Sequence, residues 1–181
     1  LFNIWNVTDV SVKNFYVKQP QLWSINLMDG TNVLLENIVV SAKLSKQPDG
    51  EYWAQNTDGL AQSDLLITDT DTMDVNHVQV TNFTYTGGDD CIALKPRSYN
   101  VTVTGATCNG GNGIPIGSIG EYLEDSSVKD VYMSDLKVPG TLWSTRTMGG
   151  NSSTAGTSKL TISDIHLKRF PWQKPRTIQQ P

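Results

Sequence analysis

The segment NVLLENIVV, residues 32–40, alternates apolar with polar positions and is rich in β-branched residues, the pattern of a strand rather than a helix. Five other segments copy it: DVSVKNFYV from Asp9, HVQVTNFTY from His77, NVTVTGATC from Asn100, DVYMSDLKV from Asp130 and KLTISDIHL from Lys159. Their first apolar positions are Val10, Val33, Val78, Val101, Val131 and Leu160, giving steps of 23, 45, 23, 30 and 29 residues. Strands that copy one another at roughly one coil per repeat, with Gly and Asn at the turns, predict an all-β chain wound as a parallel β-solenoid. An immunoglobulin-like sandwich also has many short strands, but they are not copies of one another.

In a solenoid, residues at the same phase of successive coils stack about 4.8 Å apart, so a site is assembled from equivalent positions of different coils. A second set of segments lies between the repeats: LWSINLMDG from Leu22, QNTDGL from Gln55, GGDDCIALK from Gly87, GGNGIPIGSIG from Gly110 and STRTMGG from Ser144. Their polar starts, Asp58, Asp89 with Asp90, Asn112 and Arg146, are expected to form a row on one face. Adjacent carboxylates ionise reluctantly together, so one of the Asp89 and Asp90 pair can keep a proton and act as an acid while the other acts as a base. Carboxylates backed by a guanidinium suit an anionic sugar polymer.

Composition narrows the alternatives. The 181 residues fit a single domain, and 14 basic against 18 acidic residues give a formal charge of −4, which offers no footprint for nucleic acid or an anionic membrane. No apolar run reaches membrane-span length, and the opening LFNIWNVTDV lacks the regions of a signal peptide. Sequons begin at Asn6, Asn82, Asn100 and Asn151 and point to a secreted glycoprotein. Cys91 and Cys108 are then read as a disulfide pair, with two buried thiols as the alternative. His77 and His166 are too isolated for a metal site, and Glu121, Glu124 and Asp125 lack the ligand spacing of a calcium loop, so no metal and no cofactor is expected. Trp23, Trp53 and Trp143 fit sugar stacking and core packing equally, while Lys95 and Arg97 read as a solvated turn.

With these residues in place the chain resembles glycoside hydrolase family 28, the polygalacturonases and related pectin hydrolases. The family's NTD, DD and GHG motifs match Asn56, Thr57 and Asp58, then Asp89 and Asp90, then Gly111, Asn112 and Gly113; its RIK motif falls near Arg146. The run DDCIALKPRSYNVTVTGATCNGGNGIPIGSIGEYLEDSSV is most similar to fungal exo-acting members, the galacturan 1,4-α-galacturonidases. The resemblance implies a right-handed parallel β-helix and inverting hydrolysis of α-1,4 bonds in polygalacturonate, the one partner expected of a monomer. It implies Asp89 as general acid, Asp58 and Asp90 as the residues that hold and deprotonate the attacking water, and Asn112 and Arg146 as substrate-binding residues, Arg146 as a carboxylate partner. It implies a Cys91–Cys108 bridge and, by comparison with the family's length, that residues 1–181 form one domain lacking terminal coils. A rhamnogalacturonan hydrolase, or a non-catalytic β-helix that binds acidic polysaccharide, is the alternative.

Three positions depart from the family pattern. Asn112 stands in the histidine's place and cannot titrate. Around Arg146 only one cation remains of the motif's two. Asp58 and Asp89 are 31 residues apart, longer than the family step, with the excess around residues 61–70; such an insertion is expected either to cover the cleft or to put Thr68 or Asp69 in the place of Asp58, which stays the candidate.

Overall fold

The computed structural model describes residues 1–42, 57–61, 75–119, 127–138, 146–147 and 162–168. These hold eleven strands and no helix: β1 (Phe2–Lys18), β2 (Ile25–Ser41), β3 (Leu60–Ala61), β4 (Val75–Thr86), β5 (Ile92–Ala93), β6 (Ser98–Thr104), β7 (Thr107–Asn109), β8 (Gly117–Ile119), β9 (Val128–Ser134), β10 (Arg146–Thr147) and β11 (Ile162–Lys168). Every pairing is parallel, and the main sheet runs β1-β2-β4-β6-β9-β11, with β3 and β5 continuing from the first half of β2. Parallel neighbours joined in chain order make a parallel β-helix.

The register follows the repeats. Val10, Val33, Val78, Val101 and Val131 form one column, and from Val33 onward each is fully buried. Leu35, Val80, Val103 and Met133 form the next inward column. Ile38 stacks on Phe83, and Val40 on Tyr85 and Cys108. Apolar residues in vertical file fill the interior continuously, each coil covering the apolar face of its neighbour. The 45-residue step therefore leaves the repeat in phase, since Val33 pairs with Val78 despite the added segment.

Long strands turn the corners of the coil at left-handed residues. Asp9, Asn32, His77, Asn100 and Asp130 occupy one corner and Asn14, Asn37, Asn82, Gly105 and Asp135 the next, all with φ between 53° and 73°. Asn and Asp adopt this conformation at the least cost after Gly, because a short polar side chain can hydrogen-bond locally. Here it bonds to the next coil: Asn37 Nδ2 donates to Asn14 Oδ1 and Asn82 Nδ2 to Asn37 Oδ1, both at 3.1 Å. Asn37→Ala is expected to cost about 2 kcal/mol, combining left-handed strain with two lost ladder bonds. Asn37→Gly should recover the strain part, a difference that urea unfolding of both variants reads directly.

Three sequon residues, Asn6, Asn82 and Asn100, are exposed corner residues, while Asn151 lies outside the described residues. His77 is likewise an exposed corner, within β4.

The sixth repeat needs a correction. Ile165, not Leu160, pairs with Val131, so the last step is 34 residues. The two corners of a coil lie five residues apart, and KLTISDIHL has apolar pairs on both sides of Asp164, so a five-residue slip exchanges one corner for the other. Cys91 and Cys108 are bridged, with Cα atoms 5.7 Å apart, tying the residue after the acid pair to β7.

Candidate active site

Asp58, Asp89, Asp90 and Asn112 come together on consecutive coils. Leu60 pairs with Ile92, and the backbone of Gly59 donates to Asp90 O at 2.9 Å, which sets Asp58 beside Asp90. Asp90 in turn pairs with Gly113, and the backbone N–H of Asn112 donates to Asp89 O at 3.2 Å. Asp58 thus keeps its place in the row; Thr68 and Asp69, its possible substitutes, lie outside the described residues, as do Asn56, Trp53 and Trp143. Between Asp90 and Leu94 the acid-pair strand carries one extra residue, a bulge, since Asp90 pairs 23 positions ahead with Gly113 and Leu94 only 22 ahead with Ile116.

Asn112 is a clamp on the acid pair. Its Nδ2 donates to Asp90 Oδ1 at 2.9 Å and to Asp89 Oδ1 at 3.2 Å, while the Asp90 N–H donates to Asp89 Oδ1 at 2.9 Å. Asp89 Oδ1 therefore accepts two donors, and a proton on this carboxyl belongs on Oδ2. The clamp depends on close backbone approach. Gly111, at φ +72°, lies so near that a Cβ would come within 1.9 Å of Asp89 O. Gly111→Ala is expected to displace Asp89, lowering any turnover about 100-fold and stability by about 2 kcal/mol, which kinetics and thermal unfolding check.

The second support was not evident in the sequence. Tyr85 is fully buried; its hydroxyl donates to Thr57 O at 3.2 Å and accepts from the Asp89 N–H at 3.0 Å. It ties the segment carrying Asp58 to the segment carrying the pair. The only signal in the sequence is an inward-phase tyrosine four residues before the pair, whose hydroxyl needs a buried partner. Burial pushes this phenol well above its usual range.

Electrostatically the three carboxyls differ. Asp58 is 5% exposed, whereas Asp89 and Asp90 are half-buried. Desolvation first, and then the charges of Asp89 and Asp90, push Asp58 from its ordinary 3.8 up to about 7, against a hydrogen bond from its own backbone and the charge of Lys95.

Two further placements differ from expectation. Arg146 pairs with Gly117, four positions past the Gly113 that stacks on Asp90, so the row bends where the GIPIG strand runs on. The turn after the pair is not solvated throughout: Arg97 is 7% exposed at φ +60°, with its N–H bonded to Ser127 O and its carbonyl to the Val75 N–H. Lys95 is half-buried and close enough to act on Asp58. Trp23 is half-buried on the coil before Asp58, where the Ser24 N–H bonds Asp58 O at 2.8 Å.

The sequence profile of Glycosyl hydrolases family 28 matches residues 1–181. The chain belongs to this family. A protein of Neosartorya fischeri provisionally named galacturan 1,4-alpha-galacturonidase C is 51% identical over 76% of this chain and 31% of its own length. An exopolygalacturonase of Zea mays is 28% identical over 91% of this chain and 35% of its own. The crystal structure of endo-xylogalacturonan hydrolase from Aspergillus tubingensis superposes with a TM-score of 0.65 at 25% identity, covering 91% of this chain and 40% of that one. The chain thus spans about a third of the length of these family 28 relatives, between 31% and 40%. The region they share includes the coils that hold the carboxylates.

Proposed function

We propose that this chain carries the catalytic coils of a secreted pectin-degrading hydrolase, exo-acting on the α-1,4 bonds between galacturonic acids, with inversion. The observation that carries the reading is the set of three carboxyls on adjacent coils, two of them held by one asparagine amide. Hydrolysis with inversion needs an acid on the leaving oxygen and a base for water on the other side of the sugar. Asp89 protonates the glycosidic oxygen from Oδ2 as the bond to the anomeric carbon breaks. Asp58 and Asp90 hold the attacking water and Asp90 takes its proton, so the site's proton count is unchanged after one turnover. Arg146 receives a uronate carboxylate, and Trp23 is the described tryptophan placed to stack on a sugar ring. The names of the relatives above support galacturonan as substrate and release from the chain end, and the sequons support secretion.

The test is digestion of polygalacturonate at mildly acid pH with products resolved by size. Monogalacturonate as the first product is expected. Oligomers first would replace exo by endo action. A folded protein that releases nothing from polygalacturonate but cleaves rhamnogalacturonan would move the substrate. Release from neither would leave a polysaccharide-binding β-helix.

A further inference from the structure

Family 28 likeness accounts for one cation near the site, Arg146, where the motif has two. Lys95 follows the strand after the acid pair, five residues beyond Asp90, and its backbone is fixed from both sides. The Leu94 N–H bonds Pro115 O at 3.0 Å, and the Ser98 hydroxyl donates to Lys95 O at 2.8 Å. Leu94 pairs with Ile116, so one position on, Lys95 stands beside Gly117, and Gly117 pairs with Arg146. The file reads Lys95, Gly117, Arg146 on three successive coils. The glycine between two cationic positions about 9.6 Å apart adds no side chain of its own, and that spacing is wide enough for a carboxylate.

The ammonium of Lys95 makes no ion pair among the described residues, yet it is half-buried and its charge reaches Asp58. A cation near a carboxyl cluster it does not bond is suited to an anion from outside.

Resting on the hydrolase reading above, we infer that Lys95 is a substrate-binding residue that receives a galacturonate carboxylate in the gap over Gly117, completing with Arg146 a two-cation subsite. Specificity for acidic over neutral sugar chains follows, because a neutral residue would leave the two cationic positions without a counter-charge.

Lys95→Met and Lys95→Arg separate this role from an effect through Asp58. In the parent background, steady-state kinetics on polygalacturonate give KM and kcat; in the Asp89→Asn background, calorimetry gives Kd for trigalacturonate. The expected result is that Lys95→Met raises KM and Kd about tenfold or more, with the loss in KM rather than in kcat, and that Lys95→Arg restores most of it. Unchanged KM and Kd would overturn the assignment, as would a fall in kcat alone, which would mean that Lys95 acts only on Asp58. If the parent neither turns over polygalacturonate nor binds trigalacturonate, the hydrolase reading itself fails and this one with it, a result distinct from an active parent with an indifferent Lys95→Met.

Discussion

Asp89→Asn is expected to lower hydrolysis of polygalacturonate by about 100- to 10,000-fold while leaving the unfolding temperature close to the parent's. The activity falls because an amide has no proton to give to the leaving oxygen. The fold survives because Asn keeps an Oδ1 acceptor for the two donors now on Asp89, the Asn112 amide and the Asp90 backbone N–H. Binding of trigalacturonate should persist, which separates loss of the acid from loss of the cleft. A variant retaining more than about a tenth of the parent rate would remove Asp89 as the acid and pass that role to Asp58, the carboxyl that environment already pushes toward neutrality.

The second large effect concerns stability and its dependence on pH. Asp58 is pushed from 3.8 up to about 7 in the fold, chiefly by burial and then by Asp89 and Asp90. Its folded form therefore binds a proton more tightly than its unfolded form. Below about pH 4 both states are protonated and there is no penalty. Between about pH 4 and 7 the unfolded chain ionises first, so this contribution to stability falls as pH rises, and it levels off above about 7, when both are charged. The total is on the order of 4 kcal/mol. Asp58→Asn removes the titration and should be more stable than the parent at pH 8, with the two proteins drawing together at pH 4. Its turnover should nevertheless fall about 100-fold or more, since the water loses one of the two carboxyls that hold it in line. Thermal unfolding across this range checks the sign. A variant less stable than the parent at pH 8 would mean that Asp58 is held as a charged partner.

The fold was legible because a solenoid repeats its instructions. Val33, Val78, Val101 and Val131 could be aligned before any coordinates, and they stack in the fold. Even the 45-residue step left the phase readable, since Asn32 and His77 mark the same corner on both sides of it. The last copy slipped because its two corners are near-equivalent in sequence. Asp164 fits either corner, and only pairing with β9 decides.

The candidate site was legible as a list of residues and not as an arrangement. The DD and NTD likenesses brought Asp58, Asp89 and Asp90 forward, and all three meet. Asn112 read as a substrate contact and proves to bond the acids themselves. Tyr85 was indistinguishable from any inward apolar residue, because its role depends on which carbonyl lies above its hydroxyl. Lys95 looked like a turn residue since its neighbours, Gly117 and Arg146, are 22 and 51 residues away in sequence. The raised pKa of Asp58 follows chiefly from burial, which a motif in a sequence does not disclose.

The most direct test of the central reading is the configuration of the first product. Proton NMR during hydrolysis of trigalacturonate would follow the anomeric signal of the released galacturonate before it mutarotates. Acid and base carboxylates acting across a water predict the β-anomer first, with the α-anomer growing in only at the rate of mutarotation. The α-anomer first would mean retention through a glycosyl intermediate on a carboxylate and would contradict the roles given to Asp58, Asp89 and Asp90.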